Sequence, residues 1–267
     1  MRKLLLKIIK KTRPKLNFWG YDPYTTIANV KGMRFFKKDL KVLEEQLHGD
    51  PQFPITKMFP MLADKNAAGG TLSGHYFHQD LLVAKRIFQN KPVKHVDIGS
   101  RTDGFVAHVA CFREIEVFDI RPIENKIKNI QFIQADFMKL KPEMLNYTDS
   151  ISCLHAIEHF GLGRYGDPID AYGHLKGLQT IQNVLKKGGK FYFSVPIGKQ
   201  RIEFNAHRVF SMEYLLSLFK NKYTIDHFSY VDDTGDLHEN VNPDDETSVK
   251  KNFRCKYGCG IFEMTKL

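Results

Sequence analysis

The chain has 267 residues, with 40 Lys/Arg against 30 Asp/Glu and a formal net charge of +10. A hydrophobic fraction of 42% with 12% aromatic residues suffices for a core and excludes a mostly disordered chain. The charge suggests a nucleic-acid binder, but residues 1–41 hold twelve Lys/Arg against only Asp22 and Asp39, so this segment alone is +10 and the other 226 residues are neutral.

At the N-terminus, Leu4, Leu5, Leu6, Ile8 and Ile9 share one face of a helical wheel, and Lys3, Lys7, Lys10 and Lys11 share the other. Residues 1–16 therefore read as a basic amphipathic tail, suited to an anionic membrane surface or to docking on its own domain. Arg13-Pro14 is expected to end it. Lys7 interrupts the apolar run and no small-residue cleavage site follows, so a signal peptide is not indicated. No apolar run approaches the roughly 18 to 20 residues of a membrane span. Cys111, Cys153, Cys255 and Cys259 contain no C-x-x-C pair and no disulfide framework, which points to a reducing cytoplasm. Cys255 and Cys259 have the wrong spacing for a zinc knuckle and no histidine follows, so they read as buried or free thiols.

Residues 17–91 read as an N-terminal cap or extension. Pro23, Pro51, Pro54, Pro60 and Gly69-Gly70 punctuate it, and within 17–72 only Met33–Leu47 has a helical period. From Ser73 to Phe88 the pattern is helical again, with Tyr76, Phe77, Leu81, Leu82, Ala84 and Ile87 on one face. Residues 92–267 then alternate strand and helix, the signature of a parallel sheet. Strands are expected at Val93–Ile98, Ile115–Phe118, Ile130–Ile133, Ser150–Leu154, Lys190–Val195, Tyr223–Val231 and Gly260–Thr265. Helices are expected at Phe105–Phe112, from about Pro168 to Leu185 with a stop at Lys186-Lys187-Gly188-Gly189, and at Ser211–Phe219 capped by Ser211. The last two strands are joined by the acidic loop Asp232–Lys251 and by no helix, so they must be antiparallel if they pair. The fold class is thus α/β, Rossmann-like: a seven-stranded, mostly parallel sheet with an antiparallel C-terminal strand and helices on both faces.

In such a sheet, ligands bind outside the carboxyl ends of the strands. The first strand ends in Asp97-Ile98-Gly99-Ser100-Arg101-Thr102-Asp103-Gly104, a turn into a helix whose N–H groups suit a carboxylate or phosphate. Asp119 closes the second strand, near the spacing at which an acid meets ribose hydroxyls. Asp136-Phe137 closes the third, a carboxylate and a flat ring able to bracket an adenine. Each acid alone also fits a helix cap or a surface charge.

With Val96-Asp97-Ile98-Gly99, Val117-Phe118-Asp119, Gln134-Ala135-Asp136-Phe137, Leu154-His155-Ala156-Ile157-Glu158-His159 and Leu185-Lys186-Lys187-Gly188-Gly189-Lys190-Phe191, residues 93–267 resemble the class I S-adenosylmethionine-dependent methyltransferase superfamily. More narrowly, Asp97–His108 with His155–Asp167 looks like an uncharacterised bacterial methyltransferase-like family often encoded beside surface-polysaccharide genes. The resemblance implies S-adenosylmethionine as cofactor, held by Asp97, Gly99, Ser100, Arg101 and Gly104 at the methionine end. Asp119 would take the ribose hydroxyls, Asp136 the adenine amino group and Phe137 one ring face. The glycine turn departs from the superfamily's three alternating glycines: Arg101 and Asp103 replace the second and third, and Gly104 comes one place late. This disfavours a dinucleotide pyrophosphate, while Arg101 suits the cofactor's carboxylate.

His155, Glu158 and His159 stand at i, i+3, i+4, so one helical turn would present all three on one face, where a methyl acceptor would lie. His155 is the first choice of general base, oriented by Glu158. The same cluster suits a divalent cation, or simply fixes the loop. His207, after the fifth strand, covers the pocket or is a packed histidine. The acidic loop would repel a polyanion, so no nucleic-acid partner is expected. The function implied is methyl transfer to a hydroxyl of a small molecule or glycan. A nicotinamide-dependent oxidoreductase and a non-catalytic, membrane-associated relative are the alternatives, and the sequence sets no oligomeric state.

Overall fold

The computed structural model describes residues 12–47, 52–124, 126–139 and 142–267. The amphipathic run Leu4–Ile9 lies outside them. The chain divides into two compact units at Thr71/Leu72.

In the first unit, residues 12–18 are helical, so Arg13-Pro14 falls within helical residues instead of ending them; proline's fixed φ is itself a helical value. The main element is α1 (Pro23–Leu47), which begins ten residues before the periodic stretch. Only Pro23 and Gly32 of this helix are buried, so its first turns show no apolar stripe for a period to reveal. Among the described residues, no helix is long and apolar enough to cross a membrane.

The second unit opens with α2 (His75–Asn90), which ends at Lys91 in the left-handed conformation, just before Pro92. Then come β1 (His95–Ile98), α3 (Ala107–Ala110), β2 (Ile115–Asp119), β3 (Ile130–Gln134) and β4 (Thr148–Leu154). The remainder is α4 (Gly173–Val184), β5 (Leu185–Ile197), β6 (Arg201–Glu203), β7 (His207–Val209), α5 (Met212–Phe219), β8 (Tyr223–Val231), β9 (Leu237–His238), α6 (Glu246–Lys250) and β10 (Gly258–Lys266).

The main sheet runs β3-β2-β1-β4-β5-β10-β8-β9. The first five strands are parallel, and β10 lies antiparallel between β5 and β8. The seven expected strands are all present; the two-residue β9 makes an eighth, paired with β8 out of the acidic loop. Side-chain alternation sends successive residues to opposite faces. Val96, Ile98, Phe191, Phe193, Phe262 and Met264 join α4 and α5 in one core. Ile115, Val117, Tyr192, Cys259 and Ile261 join Leu82, Val83, Ala84 and Ile87 of α2 in the other. Thus α2, placed in the N-terminal extension by sequence, packs as a layer of the sheet unit.

Two elements differ from their expected form. The helix after β1 is a π-type turn, Thr102–Val106, followed by the single turn of α3. Backbone packs closely there, since a Cβ on Gly104 would lie 2.5 Å from Asp80 Oδ2. Lys186–Gly189 is a bulge within β5 and not a helix stop: Thr148 pairs with Leu185 and Ser150 with Lys190, with Gly188 at φ +75° absorbing the intervening turn.

Candidate functional site

The parallel strands deliver their carboxyl ends to one rim, and a pocket opens there. It is lined by Gly99 and Arg101 after β1, Asp119 and Arg121 at the end of β2, Ala135 to Met138 after β3, and His155, His159, Phe160, Arg164, Tyr165 and Asp167 after β4. Tyr76, the second residue of α2, forms part of the wall. Burial first, then the Glu158 charge, pushes its hydroxyl up to about 12.

Of the cofactor residues read from sequence, Gly99, Arg101, Asp119, Asp136 and Phe137 meet at this pocket. Gly99 has φ +67°, and a Cβ there would come 3.1 Å from that of Ala156, so glycine keeps the floor open. Asp136 Oδ1 accepts the Met138 N–H at 2.9 Å, and the Phe137 ring packs edge-on against Phe118. Asp97, Ser100 and Gly104 stand behind the surface. Asp97 is fully buried and accepts from Ser100 N (3.0 Å), Ser100 Oγ (2.6 Å) and Ser152 Oγ (2.5 Å). Ser100 Oγ in turn accepts the Leu154 N–H at 3.1 Å. Burial pushes the Asp97 carboxyl up to about 6, against these donors. Its place is to tie β1 to β4 beneath the floor.

Asp119 has both oxygens on Arg121: Nε to Oδ1 at 3.0 Å and Nη2 to Oδ2 at 2.7 Å, with the Arg121 backbone N–H also on Oδ1. The Arg121 guanidinium lies 4.3 Å over the Tyr165 ring. Arg101 is held likewise, bidentate on Asp103 and 4.9 Å over Tyr76. Sequence reasoning missed Arg121, Arg164 and Tyr165. The Asp-x-Arg turn was a readable signal for the first; nothing local marks Tyr165.

The post-β4 loop is tightly specified. Ile157–His159 forms one 3-10 turn. Gly161 sits at φ +77° with no room for a side chain, because a Cβ would lie 2.1 Å from the Asp170 carbonyl. Asp167 Oδ2 accepts from Gly161 N at 2.7 Å and Gly163 N at 3.2 Å. Arg208 of β7, 5% exposed, donates to the Phe160 carbonyl at 2.6 Å and to the Ala171 carbonyl at 3.3 Å.

The histidines in and near this loop have different roles open to them. His155 Nδ1 meets Glu158 Oε1 at 2.7 Å, while its Nε2 is buried with no hydrogen-bond partner. Burial opposes charge on this ring, but Cys259 and Glu158 outweigh it and hold its pKa up at about 10. Neither nitrogen is presented to the pocket. His159 Nδ1 lies 2.6 Å from the Ala206 carbonyl, which can only accept, so the proton is on Nδ1 and Nε2 is the ring's acceptor. Burial lowers its pKa more than Glu158 raises it, so His159 is neutral at neutral pH. Glu158 is buried and off the pocket surface, its ionised form favoured by His155 and His159 against desolvation. His207 lies off the pocket as well, 3.3 Å from Glu203 Oε2 and 6.4 Å, ring to ring, from His159.

No curated protein matches the chain. Among solved structures it is similar to the 1,6-didemethyltoxoflavin-N1-methyltransferase of Burkholderia thailandensis with bound 1,6-didemethyltoxoflavin and S-adenosylhomocysteine (14% identity over 70% of this chain and 78% of that one, TM-score 0.47). It is similar also to the N-methyltransferase NodS from Bradyrhizobium japonicum in complex with S-adenosyl-L-homocysteine (11%, 79% and 93%, TM-score 0.47). A third is the cyclase SpnF (13%, 80% and 85%, TM-score 0.48). These likenesses assign no chemistry. Residues 108–253, more than half of the chain, match the family described as Caenorhabditis protein of unknown function, DUF268, and the protein belongs to that family.

Proposed function

We propose that the protein transfers a methyl group from S-adenosylmethionine to a hydroxyl of a small molecule or glycan. The observation that carries this reading is the meeting of Gly99, Asp119, Asp136 and Phe137 from three strand ends on one pocket that also contains His159. The donor set fits the cofactor: the glycine leaves the floor unobstructed, and two carboxylates with an aromatic edge suit an adenosine. When bound, S-adenosylmethionine supplies an electrophilic methyl group. The chain's own contribution is to hold the acceptor beside that group and to take its hydroxyl proton on Nε2 of His159. His159 suits this better than His155, because its proton-bearing nitrogen is fixed by the Ala206 carbonyl and its other nitrogen is free of that bond. Glu158 Oε1 stands 2.7 Å from His155 Nδ1 and 3.8 Å from His159 Nε2, where its charge favours the His159 ring once that nitrogen has taken the proton. A sugar-like acceptor rests on the family resemblance in the sequence.

One observation favours a non-catalytic reading: both oxygens of Asp119 are already occupied by Arg121. Calorimetry separates the possibilities. S-adenosylhomocysteine should bind, and Asp119→Ala or Asp136→Ala should weaken it about tenfold or more, roughly 1.4 kcal/mol each. NAD binding without S-adenosylhomocysteine binding would establish a nicotinamide enzyme, and binding of neither would establish the non-catalytic reading. With a methyl acceptor in hand, His159→Gln should lower kcat by about 100-fold or more while cofactor affinity is unchanged. Wild-type turnover in that variant would remove His159 as the base.

A further inference from the structure

Behind the wall formed by Tyr76, three side chains from distant parts of the chain converge. His75 is the first residue of α2, His155 follows β4, and Cys259 is the second residue of β10. One donor atom from each lies within 4.8 Å of the others, with His155 and Cys259 buried and His75 partly so. The His75 and His155 rings stack with centroids 5.2 Å apart and planes 8° from parallel. His155 Nε2 is enclosed and has no partner in hydrogen-bond geometry, and the group it faces is the Cys259 thiol. The opposite nitrogen of the same ring is locked on Glu158 at 2.7 Å. The backbone at His155 is held at φ +50°, a strained value for a non-glycine residue. The His75 ring also packs against the Tyr257 ring, with centroids 5.4 Å apart.

We propose that His75, His155 and Cys259 bind one divalent transition metal ion, Zn2+ by the character of the donors, with its fourth position left to water. Two imidazoles and a thiolate suit a borderline-soft ion of tetrahedral preference and exclude Mg2+ or Ca2+. Donors around tetrahedral zinc stand about 3.4–3.6 Å apart, so the cluster closes on an ion with each donor moving inward by less than about 1 Å. Glu158 then has the part that carboxylates take around metal-bound histidines: it fixes the ring so that Nε2 faces the ion. On binding, the Cys259 thiol proton and the proton that His155 carries on Nε2 both leave to solvent, the Sγ–metal and Nε2–metal bonds form, and each histidine offers a neutral nitrogen. The ion staples α2, the post-β4 loop and β10 together, and so fixes Tyr76 and His155 where they line the pocket. The inference does not rest on methyl transfer.

The test is metal binding by the full chain, read without any activity. After chelation and dialysis, Co2+ titration should saturate at one ion per chain, with tetrahedral visible bands and a near-ultraviolet thiolate-to-cobalt charge-transfer band. Cys259→Ser should abolish the charge-transfer band, whereas Cys255→Ser, a neighbouring buried thiol, should keep it. His75→Ala changes a partly exposed helix end and keeps the core intact, so it separates lost ligation from misfolding; it should weaken Zn2+ at least tenfold. Glu158→Gln should weaken Zn2+ by about 10–100-fold. No spectral change with Co2+, a charge-transfer band that survives in Cys259→Ser, or unaltered Zn2+ affinity in His75→Ala would each overturn the site.

Discussion

A single buried histidine shows how finely the polar interior is set. His95 is fully enclosed, with Nδ1 2.8 Å from Ser150 Oγ and Nε2 3.2 Å from Ser152 Oγ. Ser152 donates its own proton to Asp97, so its oxygen accepts from His95 Nε2–H, and Ser150 donates to Nδ1. This network needs a neutral ring. Burial, reinforced by the Arg113 charge, brings its pKa down to about 3 from an ordinary 6.5. The unfolded chain takes up a proton below pH 6.5 that the folded chain refuses, so this contribution is present above pH 6.5 and is lost as pH falls towards 3. The expected slope is about 1.4 kcal/mol per pH unit. His95→Gln can bridge the same serines without titrating. Urea unfolding at pH 6, 5 and 4 should therefore show a slope shallower by that amount, and an unchanged slope would mean that the ring is protonated in the fold. Of this network the sequence pointed only to Asp97 and Ser100. His95, Ser150 and Ser152 lie on inward positions of strands, where polar residues look like ordinary alternation until the strand order is known.

At the scale of elements, strand ends were the legible part. β8 matches its expected bounds and β2, β3 and β10 differ by two residues or fewer at either end. Because parallel strands bring their carboxyl ends together, Asp119, Asp136 and Phe137 could be placed on one rim without coordinates. Turns were less legible, as Lys186–Gly189 shows: a basic, glycine-rich stretch signals a helix end and a β-bulge equally well. The acidic loop is another case. Its charges serve local structure: Asp232 holds Thr234, the Asp236 N–H and His238, and Asp233 accepts the Lys256 and Tyr257 N–H groups. The post-β4 loop depends on Gly161 in the same way. Gly161→Ala should cost at least about 1–2 kcal/mol for the left-handed backbone alone, with the clash at the Asp170 carbonyl added. Thermal unfolding should show a lowered Tm, and S-adenosylhomocysteine binding should fall with it, since Phe160 and Tyr165 leave their places. A variant as stable as the wild type would mean that the loop relaxes without loss.

For the molecule as a whole, charge and chemistry are separated along the chain. Residues 72–267, which hold the pocket, carry 26 Lys/Arg against 24 Asp/Glu, a net charge of +2, and the rest of the +10 belongs to the first 71 residues. The metal-ligand triplet had no sequence signal because its members stand at 75, 155 and 259, and only the order β4-β5-β10 with α2 on the adjacent face brings them together. The grip of Arg121 on Asp119 has a consequence for ionic strength. Arg121 is half exposed, so its attraction to the carboxylate weakens in salt. A ribose carries no charge and must compete with that guanidinium for the same two oxygens. Added electrolyte thus weakens the internal competitor without weakening the ligand's own uncharged contacts. Adenosine, which has no charged homocysteine end, should bind more tightly in 0.5 M than in 0.05 M NaCl, by up to about fivefold, and Arg121→Gln should bind it with an affinity that salt leaves flat. An affinity that falls with salt in both proteins would place the ligand elsewhere than on Asp119.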